Sequence, residues 1–427
     1  MAGSNGSSNG ANGRHPTRVV ITGMGAITAI GNTVDEFWEN ALNGVSGIDI
    51  LQAFDHSSYP VHIAGEVKDF DPELYMDRRD ARRMGRFSQF AIGATHQALK
   101  HADLNLEDTD RDRVGVLMGN GIGGIQESQQ AVRTIDSRGG MKIDPFFFPK
   151  MLPNMAAAHI ALHFGARGYN NTVITACAAG TQAIGDALDL VRAGRVDVAI
   201  TGGTEAALCE LGLCGFAVIR ALSTANDPPH AASKPFDAKR DGFVAAEGAG
   251  VFVLESLEHA QKRKAPIIAE LAGYGACNDA YHVVAPSDDG SGAMRAMKEA
   301  LVDAGVEPAD VDYINAHGTS TELNDKSETM AIKKTFGEDA YRVPISSTKS
   351  MIGHSFGAAG AIESVACLKT IETGWIHPTI NYNDPDPDCD LDYVPNEKRQ
   401  ADVDVVLTNS FGFGGQNACL VYKRFEE

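Results

Sequence analysis

The sequence predicts an α/β fold built from two related halves, and three observations carry that prediction. Short apolar runs alternate with amphipathic stretches, the pattern of strands covered by helices. The stretch 178–194, A-A-G-T-Q-A-I-G-D-A-L-D-L-V-R-A-G, returns at 358–374 as A-A-G-A-I-E-S-V-A-C-L-K-T-I-E-T-G, with one interval between A-A-G and closing glycine. Each copy is followed by a matched run, V-D-V-A-I-T at 196–201 and V-D-V-V-L-T at 403–408. Two helix–strand units in register indicate duplication. The halves are expected to meet near 255–270, giving a tail at 1–16 and halves at 17–265 and 266–427.

The 427 residues suffice for a large core, and no apolar run approaches the ~18 residues of a membrane span. A formal net charge of −19 argues against nucleic acid as the partner. The seven cysteines are scattered without C-x-x-C or metal-ligand spacing, which suits a reducing compartment and predicts no metal. Residues 1–16 are rich in Gly, Ser and Asn and read as a disordered tail.

Taken in order, the first strand is expected at 18–22, followed by G-M-G-A-I-T. A second strand at 114–118 runs into G-N-G-I-G-G. Neither run has the acidic partner of a dinucleotide site, so glycine-rich turns are the better reading and no cofactor is expected. Residues 80–102 read as an amphipathic helical region opened by Arg78, Arg79, Arg82, Arg83 and Arg86, a cationic cluster on an acidic chain. Residues 155–164 predict another helix. Residues 172–175 then read as a short buried strand, with Cys177 on a tight turn of small residues. Ile184, Ala187, Leu188 and Val191 follow at the spacing of one apolar helix face, and Gly194 is placed for a left-handed cap. A thiol between a strand end and a helix start lies near unpaired N–H groups and the positive helix end, a setting that lowers a cysteine pKa. In the second half, an Asp- and Pro-rich loop at 383–392 takes up the extra length.

The sheets are expected to be mostly parallel, with the site at the carboxyl ends of the strands. That rule selects Cys177, His317 after 311–315, His354 after 344–349 and the G-F-G-G turn at 412–415. A cysteine from one half and two histidines from the other could share one pocket as nucleophile and base. G-H-S-F-G at 353–357 matches a serine-hydrolase elbow, but only His377 follows Ser355, with little room for an intervening acid.

In combination, T-A-C-A-A-G-T (175–181), K-P-F-D-A-K-R-D-G-F (234–243), E-G-A-G (247–250), N-A-H-G-T-S-T (315–321), K-S-M-I-G-H (349–354) and N-S-F-G-F-G-G (409–415) resemble the elongating β-ketoacyl-acyl-carrier-protein synthases of the thiolase-like superfamily. The resemblance covers nearly the whole chain from Arg18. It implies a thiolase-like α-β-α-β-α layered fold, a homodimer, and a location in the cytoplasm or plastid stroma. It implies the decarboxylative condensation of malonyl-carrier protein with an acyl chain held on Cys177, which extends fatty acids by two carbons.

By that resemblance Cys177, His317 and His354 form the triad, supported by Lys349 with Glu363 as its partner, and Phe413 shares the oxyanion hole and gates the acyl pocket. Substrate contacts are implied for Ile122, Phe216, Thr319 and Thr321, with Glu363 grouped among them. The acidic carrier protein, acyl- or malonyl-loaded, would dock on Arg78, Arg79, Arg82, Arg83 and Arg220. Gln182, Ala246 and Gln416 depart from the family pattern without touching the triad.

Overall fold

The computed structural model describes residues 17–427, so the tail expected at 1–16 lies outside the described residues. Ten strands dominate: β1 (Val19–Ile27), β2 (Val114–Gly119), β3 (Asn170–Val173), β4 (Val198–Glu205), β5 (Gly248–Ser256), β6 (Ala269–Asn278), β7 (Tyr313–Asn315), β8 (Ile345–Ser346), β9 (Val405–Gly412) and β10 (Gln416–Lys423). The first five lie in the order β3-β2-β4-β5-β1 and the last five in the order β8-β7-β9-β10-β6. Adding five to each label of the first set gives the second, so the repeat seen in two helices extends through every strand. The sets join where β1 meets β6 at only two pairs, Val20 with Glu270 and Ile21 with Ala269.

Helices α1 (Arg86–His101), α2 (Ile125–Arg138), α3 (Met155–Phe164), α4 (Ala179–Arg192), α5 (Glu210–Val218), α6 (Ser291–Ala304), α7 (Glu322–Phe336) and α8 (Ala359–Thr373) complete the frame. The helix α4 packs on β2 and β4 of its own half and on β6 and β10 of the other, while α8 packs on β9 and on β4 and β5. These two helices form the middle layer of an α-β-α-β-α stack, and one apolar core mixes Ile184 and Leu188 with Ile362, Val365 and Leu368. The outer cores lie under α1 and α3 on one side and under α6 and α7 on the other, where Phe236 of the first half joins residues of the second by stacking on Tyr393.

The shared spelling of A-A-G in the two copies has a packing cause. A Cβ on Gly180 would lie 2.8 Å from the Gly357 carbonyl oxygen, and one on Gly360 would lie 1.8 Å from Thr181 Oγ1. Glycine is required where the two helix starts meet. Each helix is also entered through a residue with positive φ, Ala176 at 50° and Phe356 at 47°. Strain at matched positions of both copies marks turns that the surroundings over-determine.

Some expectations need correction. The sheets are mixed: β3, β2 and β4 are parallel, but β5 is antiparallel to both β4 and β1, and β9 and β10 are likewise antiparallel. Only three residues join β9 to β10, whereas a parallel return requires a crossover of a dozen or more. The strand expected at 172–175 lies at Asn170–Val173 and is only partly buried: Val173 is buried, but Asn170, Asn171 and Ile174 are exposed, because β3 is an edge strand paired only with β2. The first strand also runs beyond its predicted end, carrying G-M-G-A-I inside β1, where Gly23 and Gly25 let α1 approach. A glycine run inside a strand is no phosphate loop. The helical region expected at 80–102 is broken, with a four-residue helix at Arg78–Ala81 preceding α1.

Candidate active site

The loops that follow the parallel strands β3, β7, β8 and β9 meet at a chamber of about 410 Å3. Its lining includes Cys177 after β3, His317 after β7, His354 after β8 and Phe413 after β9. The nucleophile candidate therefore comes from one half and both histidines from the other. The rings of His317 and His354 stand edge to face with centroids 5.4 Å apart. Gly412, at the end of β9, packs on the cysteine turn: a Cβ there would lie 3.1 Å from the Cys177 amide nitrogen. Among the described residues the neighbouring Phe413 N–H has no acceptor.

The histidines are held from behind. Lys349 is buried, and its ammonium donates to the His317 carbonyl oxygen at 2.6 Å and to His317 Nδ1 at 3.3 Å, while Glu363 pairs with its other side. With Nδ1 occupied as an acceptor, neutral His317 carries its proton on Nε2. The backbone amides of His317 and Gly318 both donate to the Glu328 carboxylate at 2.8 Å. His354 is tied through its backbone, its N–H to Val244 and its carbonyl from Ala246, and its ring packs between Phe243 and Phe356. Burial lowers the pKa of both histidines well below 6.5; Lys349 adds to the shift in each, and His354 adds to that of His317. Both are neutral hydrogen-bond donors at neutral pH.

Cys177 departs from expectation. Its thiol is pushed up to about 12, first by burial and then by the charges of Glu205 and Glu363, with Lys349 acting the other way. A sliver of exposure to the chamber does not solvate a thiolate, so desolvation outweighs the helix end that the sequence suggested would acidify it.

The remaining predicted residues divide clearly. Thr319 and Thr321 line the chamber with their hydroxyls 2.9 Å apart, and Phe216 and Arg220 lie on its wall. Phe216 stacks on Phe356 at 4.9 Å and stands 6.1 Å from Phe413. Ile122 lies outside the chamber, packed with Phe216 against an apolar cluster that includes Phe356. Lys349 and Glu363 do not line the chamber. Glu363, grouped with the substrate contacts, is fully buried behind Lys349 and paired with it.

Of the cationic cluster, Arg86 is spent internally on Glu247 at 2.7 Å and over the Phe90 ring. Arg78 pairs with Glu73, and Arg83 lies near Asp80 and over Phe146. Among the described residues Arg79, Arg82 and Arg220 have no acidic partner within 4.0 Å. Ser355 is buried and outside the chamber, and His377 is bonded to Thr348 at 3.0 Å, so the hydrolase elbow is not assembled. Sequence reasoning missed Phe243, Phe356, Glu205 and Glu328. Phe243 closes the run K-P-F-D-A-K-R-D-G-F, Phe356 lies within G-H-S-F-G and Glu205 directly ends β4, whereas Glu328, inside α7, carried no such signal.

A family model described as Beta-ketoacyl synthase, N-terminal domain, matches residues 16–260, and one described as Beta-ketoacyl synthase, C-terminal domain, matches 268–383. The chain is 50% identical over 409 residues to 3-oxoacyl-[acyl-carrier-protein] synthase 2 of Staphylococcus aureus (strain N315), covering 96% of this chain and 99% of that relative. It is 49% identical over 409 residues to the protein of the same name from Synechocystis sp., covering 96% and 98%. Among solved structures, a beta-ketoacyl synthase from Burkholderia phymatum STM815 superposes with a TM-score of 0.90 at 36% identity, covering 96% of this chain and all of that one. A chain from the complex of a type II polyketide-synthase acyl-carrier protein with its ketosynthase superposes at 0.89 with 38% identity and the same coverage.

Proposed function

The chain belongs to the beta-ketoacyl synthase family, and from that premise we infer that it acts as a 3-oxoacyl-[acyl-carrier-protein] synthase through Cys177, His317 and His354. The observation that carries the reading is the convergence of Cys177 from one half with two neutral histidines from the other in one chamber.

In the first half-reaction Cys177 sulfur attacks the thioester carbonyl of acyl-carrier protein. The carbon–sulfur bond to the carrier breaks, and the thiol proton ends on the released carrier thiol. The amides of Cys177 and Phe413 receive the oxyanion. In the second, the thioester oxygen of malonyl-carrier protein accepts hydrogen bonds from His317 and His354. Loss of CO2 leaves an enolate that those donors stabilise, and its carbon attacks the acyl group and expels the Cys177 thiolate, which regains its proton from solvent. The product is a 3-oxoacyl chain two carbons longer. Neutral donors suit this step because they stabilise the enolate without protonating its carbon.

The partner is an acidic acyl-carrier protein, with Arg79, Arg82 and Arg220 as the free cations for docking. A homodimer is supported by the open edge at β3 and by apolar side chains gathered beside it. Val132, Ile135, Met141, Phe148, Leu152, Leu162 and Ile174 are all exposed along α2, α3 and the loops around them. Among the described residues no helix is long and apolar enough to cross a membrane. Alkylation of Cys177 by iodoacetamide, read against condensation of acyl- and malonyl-carrier protein, tests the reading. Full turnover after stoichiometric labelling would sink it, and labelling of Ser355 by a fluorophosphonate would revive the hydrolase.

A further inference from the structure

Behind Cys177 lies a carboxylate that the reaction just described does not use. Glu205 ends β4, is fully buried, and among the described residues has no cation within 4.0 Å. Its oxygens are met by backbone alone. Oε2 accepts from Gly121 N–H at 2.7 Å and Gly357 N–H at 3.1 Å, and Oε1 accepts from Ile122 N–H at 3.3 Å. Gly121 and Ile122 follow β2 in one half; Gly357 follows His354 and Phe356 in the other. A Cβ on Gly121 would lie 2.8 Å from Glu205 Oε2 and 3.4 Å from the carbonyl oxygen of Ala176, the strained residue before Cys177.

The second half contains a related clasp, made by a carboxylate on α7 that also accepts from Asn409 Nδ2 at 3.1 Å. Glu328 accepts the two successive amides of His317 and Gly318, just after β7, the strand that corresponds to β2. There the clasp fixes a histidine; in the first half it fixes the loop carrying Ile122.

We propose that Glu205 is a positioning residue for acyl transfer: it clasps the Ile122 loop of one half to the Phe356 segment of the other, and so holds the apolar cluster behind Phe216, a wall of the chamber, in register with Cys177. This rests on the ketosynthase reading of the chamber. A carboxylate is suited to the task because it accepts several amides at once, where a neutral amide must turn a donor toward one of them. Its charge also acts on the thiol together with Lys349 and Glu363, while His317 and His354 face the chamber neutral.

The test compares Glu205→Gln, Glu205→Ala and Gly121→Ala with the wild type in two assays. One is the pH profile of Cys177 alkylation by iodoacetamide, and the other is Cys177 acylation from short- and long-chain acyl-carrier protein. Glu205→Gln removes a negative charge, so the alkylation profile moves to lower pH and the rate at a fixed pH rises, about tenfold if the thiol becomes ten times more acidic. Glu205→Ala loses long-chain acylation at least roughly tenfold more than short-chain, and Gln restores part of it. Gly121→Ala displaces the clasp but keeps the charge, so it changes the chain-length profile and leaves the alkylation profile in place. Equal losses at all chain lengths with an unmoved alkylation profile overturn the proposal. If Glu205→Ala does not fold, the other two variants decide it. If the wild type is alkylated but does not condense, the function fails while the alkylation profiles still judge the clasp.

Discussion

Lys349 reaches His317 at two points, its ammonium 2.6 Å from the backbone carbonyl oxygen and 3.3 Å from Nδ1 of the ring. The first contact fixes where the ring sits and the second fixes which nitrogen carries the proton. Because Glu363 is buried with it, Lys349→Ala leaves a carboxylate unpaired in the interior. The expected cost is about 3–5 kcal/mol in urea unfolding. Lys349→Met with Glu363→Gln is expected to recover most of that stability while condensation stays impaired, since the proton on His317 is then free to move to Nδ1.

Cys177→Ala removes the acyl acceptor but neither histidine donor. Condensation is expected to fall by at least roughly 10³-fold, while release of CO2 from malonyl-carrier protein continues. Radiolabelled CO2 release measured beside product formation checks it; parallel loss of both activities would place the cysteine in the decarboxylation step.

Stability should depend on pH in a way set by buried groups of opposite sign. His317 and His354 titrate well below 6.5 in the fold, and His377 at about 4 because burial disfavours its cation. Below pH 6.5 the unfolded chain binds protons that these three refuse, so they make stability fall as pH drops. Glu205 and Glu328 are raised to about 7 by burial, so between about 7 and 4.5 the folded chain binds protons first and they make stability rise as pH drops. The two effects oppose each other down to pH 4.5, and below it the histidines act together with carboxylates held low by their partners, Glu255 at about 2 among them. The midpoint of urea unfolding is expected to vary gently from pH 7 to 5 and fall steeply below 4.5. His317→Gln/His354→Gln should flatten that fall.

Charge reversal at Arg79 and Arg82 is expected to raise KM for carrier-bound substrates about tenfold and to weaken their salt dependence. Turnover of small free thioesters should not change. Arg86→Ala behaves differently, because Arg86 is the partner of nearly buried Glu247; it is expected to cost about 2–3 kcal/mol of stability and to leave the KM for carrier near its original value. Equal KM effects from both would remove the distinction between docking and structural arginines.

Ile174 is exposed at 57% just beyond the open strand β3. Ile174→Arg is expected to shift the protein from dimer to monomer in sedimentation, since a charge buried there on association has no partner. A dimer unaffected by that change would mean that another face makes the contact.

The sequence by itself determined the duplication, the helix faces and the strand-end positions of Cys177, His317 and His354. These are local signals: A-A-G persists because Gly180 and Gly360 sit where helix starts meet, and apolar spacing records one buried face. Tertiary structure decided what surrounds those residues. The clasp of Glu205 on Gly121 spans 84 residues and that of Glu205 on Gly357 spans 152, and hydrogen bonds at such separations leave no periodic trace in the chain. The acidity of Cys177 was likewise undecided by its turn. A helix start favours the thiolate, but desolvation is set by everything packed around the sulfur, and only the assembled halves show that burial wins.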